Sequence, residues 1–542
     1  MLKNTLNKIG TVLLYPFTEH LLFFIAFLIF ATSPYFLWFI IYDEYYYSLN
    51  LFMHCWVISY LVTLIVSLIQ HNATRRIVIG FVICISAIFF GLNIYGIFEL
   101  DSLVDEDHLM LILDTNPNEA KEFLSNLLPI RILLGTTLVY LSFVTLWIIS
   151  KRHPIKLGEK SSYIAVICCC ICAIKSLLGW GIWVDGPIKH LSELFTSMKK
   201  YEIINESTLN HILPTITFAD NQQLPTNVIL IIGESFARFH SSLYGYEKTT
   251  NPCLSALQKK SLLFTFDSID APAPTTSLSI QFMLSTCSKS DSKKYNKKWY
   301  NFPSIIELMR KCGYNCYWFS NQARTGKFNY AARVFAESCD QSFFYQQEGS
   351  IRINTKHDIV LVDSSYQFIK ELDHRKRNFI IYHMMGSHFD YSMRYPDKFN
   401  CFSIKDYHKY PQHQRNILAT YDNSILYNDY VVNSIINLFK EENAIVIYVP
   451  DHGQDMFRSS PYYRAHGKSN NPISYAYGVE IPFIIYATPL FQKNNPATIR
   501  RIENRQKNPK SWITDNLPYF IMDLIGVTKI DGDSIKGKSI LN

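Results

Sequence analysis

The sequence predicts a two-part protein, an α-helical membrane domain of five transmembrane helices followed by an α/β domain with a mainly parallel sheet. Hydrophobic residues make up 48% of the 542 residues and charged residues only 18%, and the apolar excess lies in the front of the chain. Beyond that region, apolar runs of strand length alternate with helical patterns. The length also exceeds that of a single typical core, which favours two domains.

Five stretches near the N-terminus are apolar and long enough to cross a bilayer, which takes roughly 20 residues of helix. We predict these spans at residues 21–42, 51–70, 77–98, 130–149 and 163–184. No small-residue cleavage site follows the long first span, so we expect it to remain as an anchor and not to be removed as a signal peptide.

The basic residues around these spans predict their orientation. They are Lys3, Lys8, Arg75, Arg76, Lys151, Arg152, Lys156 and Lys160. All of them lie in the N-terminal segment, the second loop or the fourth loop, whereas the first and third loops are acidic. The positive-inside rule places the basic segments in the cytoplasm. With five spans, everything after about residue 185 is then outside.

The remaining chain divides into a connecting segment and a large exported domain. Residues 1–184 hold the spans, 185–225 read as an amphipathic helix and linker, and 226–542 read as the α/β domain. We predict strands at 228–232, 316–319, 379–382, 444–449 and 482–486, with helices at 304–312 and 423–439 among those between them. This alternation is typical of a parallel sheet covered on both faces.

Polar side chains follow the predicted strands, at the edge where ligands gather in such sheets. They are Glu234, Asn321, Gln322, His383, His388, Asp451 and His452, and His466 lies in a later glycine-flanked loop. A single Glu or Asp after a strand is more often a helix cap, and a single His is usually a hydrogen-bonded loop residue. The combination favours a metal site for zinc or manganese, with Glu234, Asp451 and His452 as ligands.

A nucleophile is predicted in the segment DAPAPTTSLSIQFMLS, residues 270–285, where a proline-rich loop leads into a helix beginning near Thr275 or Thr276. A hydroxyl at a helix N-terminus lies at the positive end of the dipole, and a nearby metal would lower its pKa. The alternative is that the threonine simply caps the helix.

Several motifs together resemble one known family, the phosphoethanolamine transferases of Gram-negative bacteria. They are GESFARFHSSLYGYEKTTNP, PTTSLSIQFMLS, MMGSH, YDNSILYNDYVV, PDHG and, in the third membrane loop, DTNPNEAKEF. The family belongs to the alkaline phosphatase and sulfatase superfamily. The resemblance implies five transmembrane helices in the bacterial inner membrane, followed by a periplasmic α/β/α catalytic domain.

The resemblance also implies roles for individual residues. It places Zn²⁺ on Glu234, Asp451, His452 and Thr276, and makes Thr276 the nucleophile, with Thr275 as the alternative. It places the following residues at the substrate: His388 and His466 near the transferred phosphate, Thr115 and Glu119 at the ethanolamine head group, and either Lys327 or Arg324 at the phosphate.

The implied reaction moves phosphoethanolamine from phosphatidylethanolamine to lipopolysaccharide through an ester on the threonine. Phe282 stands where many members that modify lipid A have a cysteine, and Leu111 and Phe389 also depart from the family pattern. These departures favour core heptose over lipid A as the acceptor. Two alternatives are a metal-dependent phosphoglycerol transferase or sulfatase-like hydrolase of the same superfamily, and a membrane scaffold without activity. We expect a monomer with no nucleic-acid partner.

Overall fold

The computed structural model divides the chain into two compact units, one of N-terminal helices and one holding the α/β domain. It describes residues 2–42, 45–100, 103, 130–152, 156–177, 213–219, 224–295, 298–324, 330–346, 356–373, 375–459 and 472–541. Each unit is therefore considered separately.

Six helices make up the described part of the N-terminal unit. They are α1 (Leu2–Thr18), α2 (Leu21–Tyr42), α3 (Tyr45–Leu68), α4 (Asn72–Tyr95), α5 (Ile130–Arg152) and α6 (Glu159–Leu177). A π-helical turn, Gly96–Leu100, continues α4. Every predicted span overlaps one of the helices α2 to α6, whereas α1 lies outside the predicted spans.

Two stretches among the described residues have the length and composition of a membrane-crossing helix, Leu21–Trp38 and Asn72–Phe98. Shorter apolar helices occur at Met53–Leu68 and Leu133–Ser142. The helices of this unit pack through aromatic side chains, such as Phe24 against Trp56 with ring centroids 5.6 Å apart. The number of five transmembrane helices stays a prediction.

The second unit is built on a seven-stranded sheet. The strands among the described residues of this unit are, in chain order, β1 (Ile216–Phe218), β2 (Asn227–Gly233), β3 (Leu263–Phe266), β4 (Ile269–Asp270), β5 (Tyr314–Ser320), β6 (Gln341–Phe344), β7 (Arg377–His383), β8 (Ala444–Pro450), β9 (Phe483–Ala487), β10 (Trp512–Ile513), β11 (Val527–Ile530) and β12 (Asp533–Ser534). The main sheet has the order β3-β9-β8-β2-β7-β5-β6, and two small sheets, β1-β11-β12 and β10-β4, lie apart from it.

The central strands of the main sheet are parallel, as the sequence predicts. Strand β2 pairs with β8 and with β7, and β7 pairs with β5, all in parallel register. All five predicted strands are present. The exception to the parallel arrangement is β9, which is antiparallel to both β8 and β3. Two strands of the main sheet, β3 and β6, each of four residues, are not among the strands predicted from the sequence.

Helices surround this sheet. In chain order they are α7 (Pro252–Lys259), α8 (Thr276–Met283), α9 (Lys289–Tyr295), α10 (Ile305–Lys311), α11 (Tyr330–Glu337), α12 (Ile359–Glu371), α13 (Gln412–Leu438), α14 (Pro472–Val479), α15 (Pro489–Asn494), α16 (Pro496–Lys507) and α17 (Leu517–Leu524). Both helices predicted in this domain are present, and α13 begins eleven residues earlier than the predicted residue 423.

The strand β2 is buried at every residue, as expected of a central strand covered on both faces. Ile229 and Ile231 of β2 share one core with Ile425 and Val432 of α13. Local signals fix the helix ends. Ser304, for example, accepts a hydrogen bond from the backbone N–H of Glu307 at 3.1 Å and thereby begins α10.

We expect Ile229→Ala to lower the free energy of unfolding of the α/β unit by about 2–5 kcal/mol, because truncating a fully buried Ile leaves a cavity. Denaturant unfolding of the purified chain, followed by tryptophan fluorescence, measures this change. The matched control is Ile404→Ala, since Ile404 is 52% exposed and its loss should cost less than about 0.5 kcal/mol. Equal effects of the two substitutions would contradict the assignment of the core.

Candidate active site

Three ionisable side chains meet at the carboxyl edge of the sheet. Glu234 directly follows β2, and Asp451 and His452 directly follow the neighbouring strand β8. The register pairs Gly233 with Pro450, so the two strands deliver these residues side by side. One ligand atom from each residue lies within 4.8 Å of the others, and all three residues are buried. This cluster could hold a metal ion, as the sequence predicts.

The imidazole of His452 is oriented toward the two carboxylates. Its Nδ1 lies 2.7 Å from the Gly453 carbonyl, to which it can donate. Its Nε2 then faces Glu234 Oε1 at 3.3 Å and Asp451 Oδ2 at 3.6 Å. A backbone acceptor on one ring nitrogen orients the other toward the carboxylates, the usual arrangement of histidine at metal sites.

Asp451 gives the clearest indication that the cluster suits a cation. Its Oδ1 accepts hydrogen bonds from the backbone N–H groups of Ser235, at 3.1 Å, and His452, at 2.7 Å. Its Oδ2 is buried and has no hydrogen-bond partner among the residues that the structure describes. Burying a carboxylate oxygen without a partner is costly, so the donor set fits a divalent metal ion.

The backbone that carries Glu234 is closely confined. Ser387 donates its N–H to the Glu234 carbonyl at 3.0 Å. Gly386 has φ 51°, and a Cβ at this position would lie 2.7 Å from the Glu234 nitrogen. The buried carboxylate of Asp358 accepts the N–H groups of Met385 and Gly386, each at 2.8 Å. Glycine is therefore required at 386, and Asp358 fixes the loop against the metal cluster.

Burial and mutual repulsion set the protonation of the cluster. Burial raises the pKa of Asp451, and the Glu234 carboxylate raises it further. Burial lowers the pKa of His452, but the Asp451 and Glu234 carboxylates outweigh it and raise this pKa above its ordinary value. His383 is the last residue of β7, which pairs with β2 on the side opposite β8. By contrast with His452, burial lowers the pKa of His383 to about 4. His383 is thus neutral at pH 7.

Thr276 is the first residue of α8, and its hydroxyl reaches the cluster. Thr276 Oγ1 lies 3.3 and 3.2 Å from the two carboxylate oxygens of Glu234 and 3.4 Å from His452 Nε2. Thr275 is the N-cap residue, and its side chain makes no capping hydrogen bond. The expected helix start is confirmed, and simple capping does not account for either threonine. That Thr276 acts as the nucleophile stays a prediction.

Of the residues predicted to contact the substrate, the structure describes only His388 and Arg324. His388 lies in the loop after β7, where its Nδ1 is 2.5 Å from the Phe389 carbonyl oxygen. Arg324 pairs with Glu337 at 3.1 Å, an ion pair at the protein surface. Four candidates fall outside the described residues: Thr115, Glu119, His466 and Lys327. Their proximity to the metal cluster stays a prediction.

Two supporting residues were not predicted as site residues from the sequence, Ser235 and Asp358. Ser235 donates its hydroxyl to Glu234 Oε1 at 2.8 Å and its N–H to Asp451. The sequence signal that could have identified Ser235 is its position directly after Glu234, a predicted metal ligand. Asp358 follows a segment of no clear pattern, and only the fold shows that it meets Met385. Gln322, which was predicted to lie at this edge, donates to Glu234 Oε2 at 3.3 Å.

Comparison with known proteins defines the family. The family profile described as Sulfatase matches residues 226–527, more than half of the chain. The chain belongs to the sulfatase family. The matched segment begins one residue before β2 and includes Glu234, Asp451 and His452 of the cluster as well as Thr276, so the candidate active site lies within the sulfatase domain.

Curated relatives within the sulfatase family confirm the resemblance to phosphoethanolamine transferases. The chain is 26% identical over 417 residues to phosphoethanolamine transferase EptC of Escherichia coli O18:K1:H7, covering 72% of this chain and 70% of that protein. It is 26% identical over 453 residues to CptA of Salmonella typhimurium, with coverage of 78% and 75%. Phosphoethanolamine transferase EptA of Helicobacter pylori is also 26% identical, and the match covers 80% of both chains.

Solved structures agree with this sulfatase-family assignment. The periplasmic domain of E. coli EptC in complex with Zn matches with a TM-score of 0.54 and 26% identity, covering 61% of this chain and 89% of that domain. The integral membrane protein EptA of Neisseria meningitidis matches with a TM-score of 0.67 and 16% identity, covering 96% and 98%. The second match shows that the similarity of fold includes the N-terminal helices as well as the α/β unit.

The raised pKa values of Asp451 and His452 predict that the metal-free site holds protons near pH 7 which a divalent ion must displace. We expect metal affinity to rise with pH around neutrality, because each displaced proton becomes easier to remove. Calorimetric titration with Zn²⁺ in buffers of different ionisation enthalpy measures the protons released. A pH-independent affinity without proton release would contradict the prediction, and Asp451→Asn should release fewer protons than the wild type.

Proposed function

We propose that this protein is a zinc-dependent transferase that moves phosphoethanolamine from phosphatidylethanolamine to a lipopolysaccharide acceptor, with core heptose favoured over lipid A. The observation that carries the proposal is the meeting of the Thr276 hydroxyl with Glu234 and His452. A hydroxyl beside a buried metal-ligand cluster is the arrangement that nucleophilic catalysis requires. The names of the relatives indicate that the transferred group is phosphoethanolamine.

We assign the metal site to Glu234, Asp451, His452 and Thr276. The unpartnered Asp451 oxygen and the oriented His452 nitrogen support this assignment. A bound Zn²⁺ would supply positive charge that lowers the pKa of a nearby hydroxyl and offsets the charge of a phosphoryl group. Zinc is favoured because imidazole and carboxylate are its usual ligands and because the related EptC domain was crystallised with Zn.

In the first half-reaction, Thr276 Oγ1 forms a bond to the phosphorus of phosphatidylethanolamine while the bond from phosphorus to the diacylglycerol oxygen breaks. The hydroxyl loses its proton, and the leaving oxygen gains one to give diacylglycerol. The position of Thr276 in the first turn of α8 places the reacting group at the positive end of the helix dipole. The product is a phosphoethanolamine ester of Thr276.

In the second half-reaction, an oxygen of an acceptor hydroxyl or phosphate forms a bond to the phosphorus of this ester while the bond from phosphorus to Thr276 Oγ1 breaks. Thr276 Oγ1 then takes up a proton, from the acceptor hydroxyl or from solvent, and the hydroxyl is restored. We assign His388 and His466 to the transferred phosphate, where imidazoles can stabilise charge or move protons. We assign Thr115 and Glu119 to the ethanolamine head group. Donor and acceptor both lie in a membrane, which gives a reason for the apolar N-terminal helices of the chain.

Substituting the nucleophile tests the reaction. We expect Thr276→Ala to lower phosphoethanolamine transfer by about 10³-fold or more, because the variant lacks the hydroxyl that forms the ester. Mass spectrometry of lipopolysaccharide from cells expressing each variant, with fragmentation to separate lipid A from core, detects the added group. The same spectra distinguish heptose from lipid A as the acceptor.

The neighbouring threonine provides the matched control. Thr275→Ala should retain most transfer, because its side chain takes no part in the metal cluster. Loss of transfer in Thr275→Ala but not in Thr276→Ala would reassign the nucleophile. Wild-type cells without any added phosphoethanolamine would instead favour the hydrolase or phosphoglycerol transferase alternative.

Membrane topology is a separate prediction. We expect a periplasmic reporter such as alkaline phosphatase to be active when fused after residue 44 or 225 and inactive when fused after residue 76 or 156, because the positive-inside rule places the basic loops in the cytoplasm. Reporter activity is measured in intact cells. Activity after residue 156 would exclude the five-helix inner-membrane arrangement with a periplasmic catalytic domain.

A further inference from the structure

A tyrosine of helix α13 holds the turn that follows Glu234. Tyr421 is fully buried, and its hydroxyl donates to the Ser235 carbonyl at 2.7 Å. The same hydroxyl accepts the N–H of Ala237 at 2.8 Å. One side-chain oxygen therefore satisfies two backbone groups of a single turn and fixes its shape.

Ser235 connects the two carboxylates of the metal cluster. Its hydroxyl donates to Glu234 and its N–H donates to Asp451. To make both contacts, Ser235 adopts φ 54°, in the left-handed region that side chains other than those of Gly, Asn and Asp seldom occupy. An unfavourable backbone conformation of this kind persists only where surrounding contacts hold it in place.

The side chain of Tyr421 is itself confined. Its ring lies edge-on to that of His240, with centroids 5.1 Å apart, and near that of Tyr391, at 4.8 Å. The next residue of α13, Asp422, is fully buried and binds His240 Nδ1 at 2.6 Å. Asp422 also accepts the hydroxyl of Tyr246 at 2.7 Å. This second layer fixes His240, which in turn limits the movement of the Tyr421 ring.

We propose that Tyr421 is a positioning residue for the metal site, which sets metal affinity by holding Ser235 in its left-handed conformation. The inference rests on the proposed function, because it assumes that Glu234 and Asp451 bind Zn²⁺. The Tyr421 hydroxyl contacts the turn at the Ser235 carbonyl and at the Ala237 N–H. Its effect on the metal site would pass through the backbone at Ser235.

The test is Zn²⁺ affinity of the full-length protein in detergent, measured by competition with a chromophoric chelator. We expect Tyr421→Phe to weaken the affinity about tenfold, the lower end of the range for residues that orient metal ligands. The substitution keeps the ring, so the packing against His240 remains. Tyr314→Phe is the matched control, since it removes a buried hydroxyl that binds the Pro225 carbonyl at 3.0 Å, at the opposite end of the sheet.

Combining Tyr421→Phe with two different substitutions of Ser235 distinguishes an effect through the Ser235 backbone from a general loss of packing. Ser235→Ala and Ser235→Gly both lack the hydroxyl, but only glycine adopts φ 54° without strain. We expect Tyr421→Phe to weaken Zn²⁺ binding about tenfold in the Ser235→Ala background and by about threefold or less in the Ser235→Gly background. A merely structural role for Tyr421 would give equal losses in both.

The outcomes are distinct. Equal losses in the two backgrounds, or unchanged affinity in Tyr421→Phe, would overturn the inference while leaving the proposed function intact. Wild-type protein that binds no Zn²⁺, or binds it equally after Glu234→Ala, would overturn both. A loss in Tyr421→Phe that glycine at 235 largely removes, with Tyr314→Phe unchanged, would establish Tyr421 as a positioning residue.

Discussion

Two carboxylates and an imidazole share a buried space at the end of two neighbouring strands, and much of the catalytic unit is arranged around this crowding. Negative charges held close together away from water repel each other unless protons or a cation lie between them. Asp451 shows this through its raised pKa and its unpartnered oxygen. Such a cluster can be neutralised either by protons or by a bound metal ion.

The surrounding residues make this unfavourable arrangement persist. Strand register places Glu234 beside Asp451, the absence of a side chain at Gly386 allows the next loop to approach, and backbone donors satisfy one oxygen of Asp451. These features act on the backbone more than on the ligands. The placement of the three side chains thus depends on backbone contacts around them, as expected of a preorganised site.

The fold and the cluster could be predicted to different depths. Long apolar runs identified helices α2 to α6 and the five longer strands; for the strands, burial on both faces of a parallel sheet leaves a strong signal. The rule that ligands gather at the carboxyl edge was enough to group Glu234 with Asp451 and His452. The short strands β3 and β6 gave no such signal, and neither did the role of Asp358, which depends on contacts between segments distant in sequence.

Glu234, Asp451 and His452 directly follow two paired strands, and this placement affects how related proteins can diverge. The hydrogen bonds between β2 and β8 set the spacing of the side chains that follow these strands. This spacing does not depend on the surrounding loops, so it is kept when those loops are replaced. His388, by contrast, lies in a loop held partly by Arg394, whose Nε donates to the His388 carbonyl at 2.9 Å. The loops at this edge of the sheet could thus change while the spacing of Glu234, Asp451 and His452 is kept.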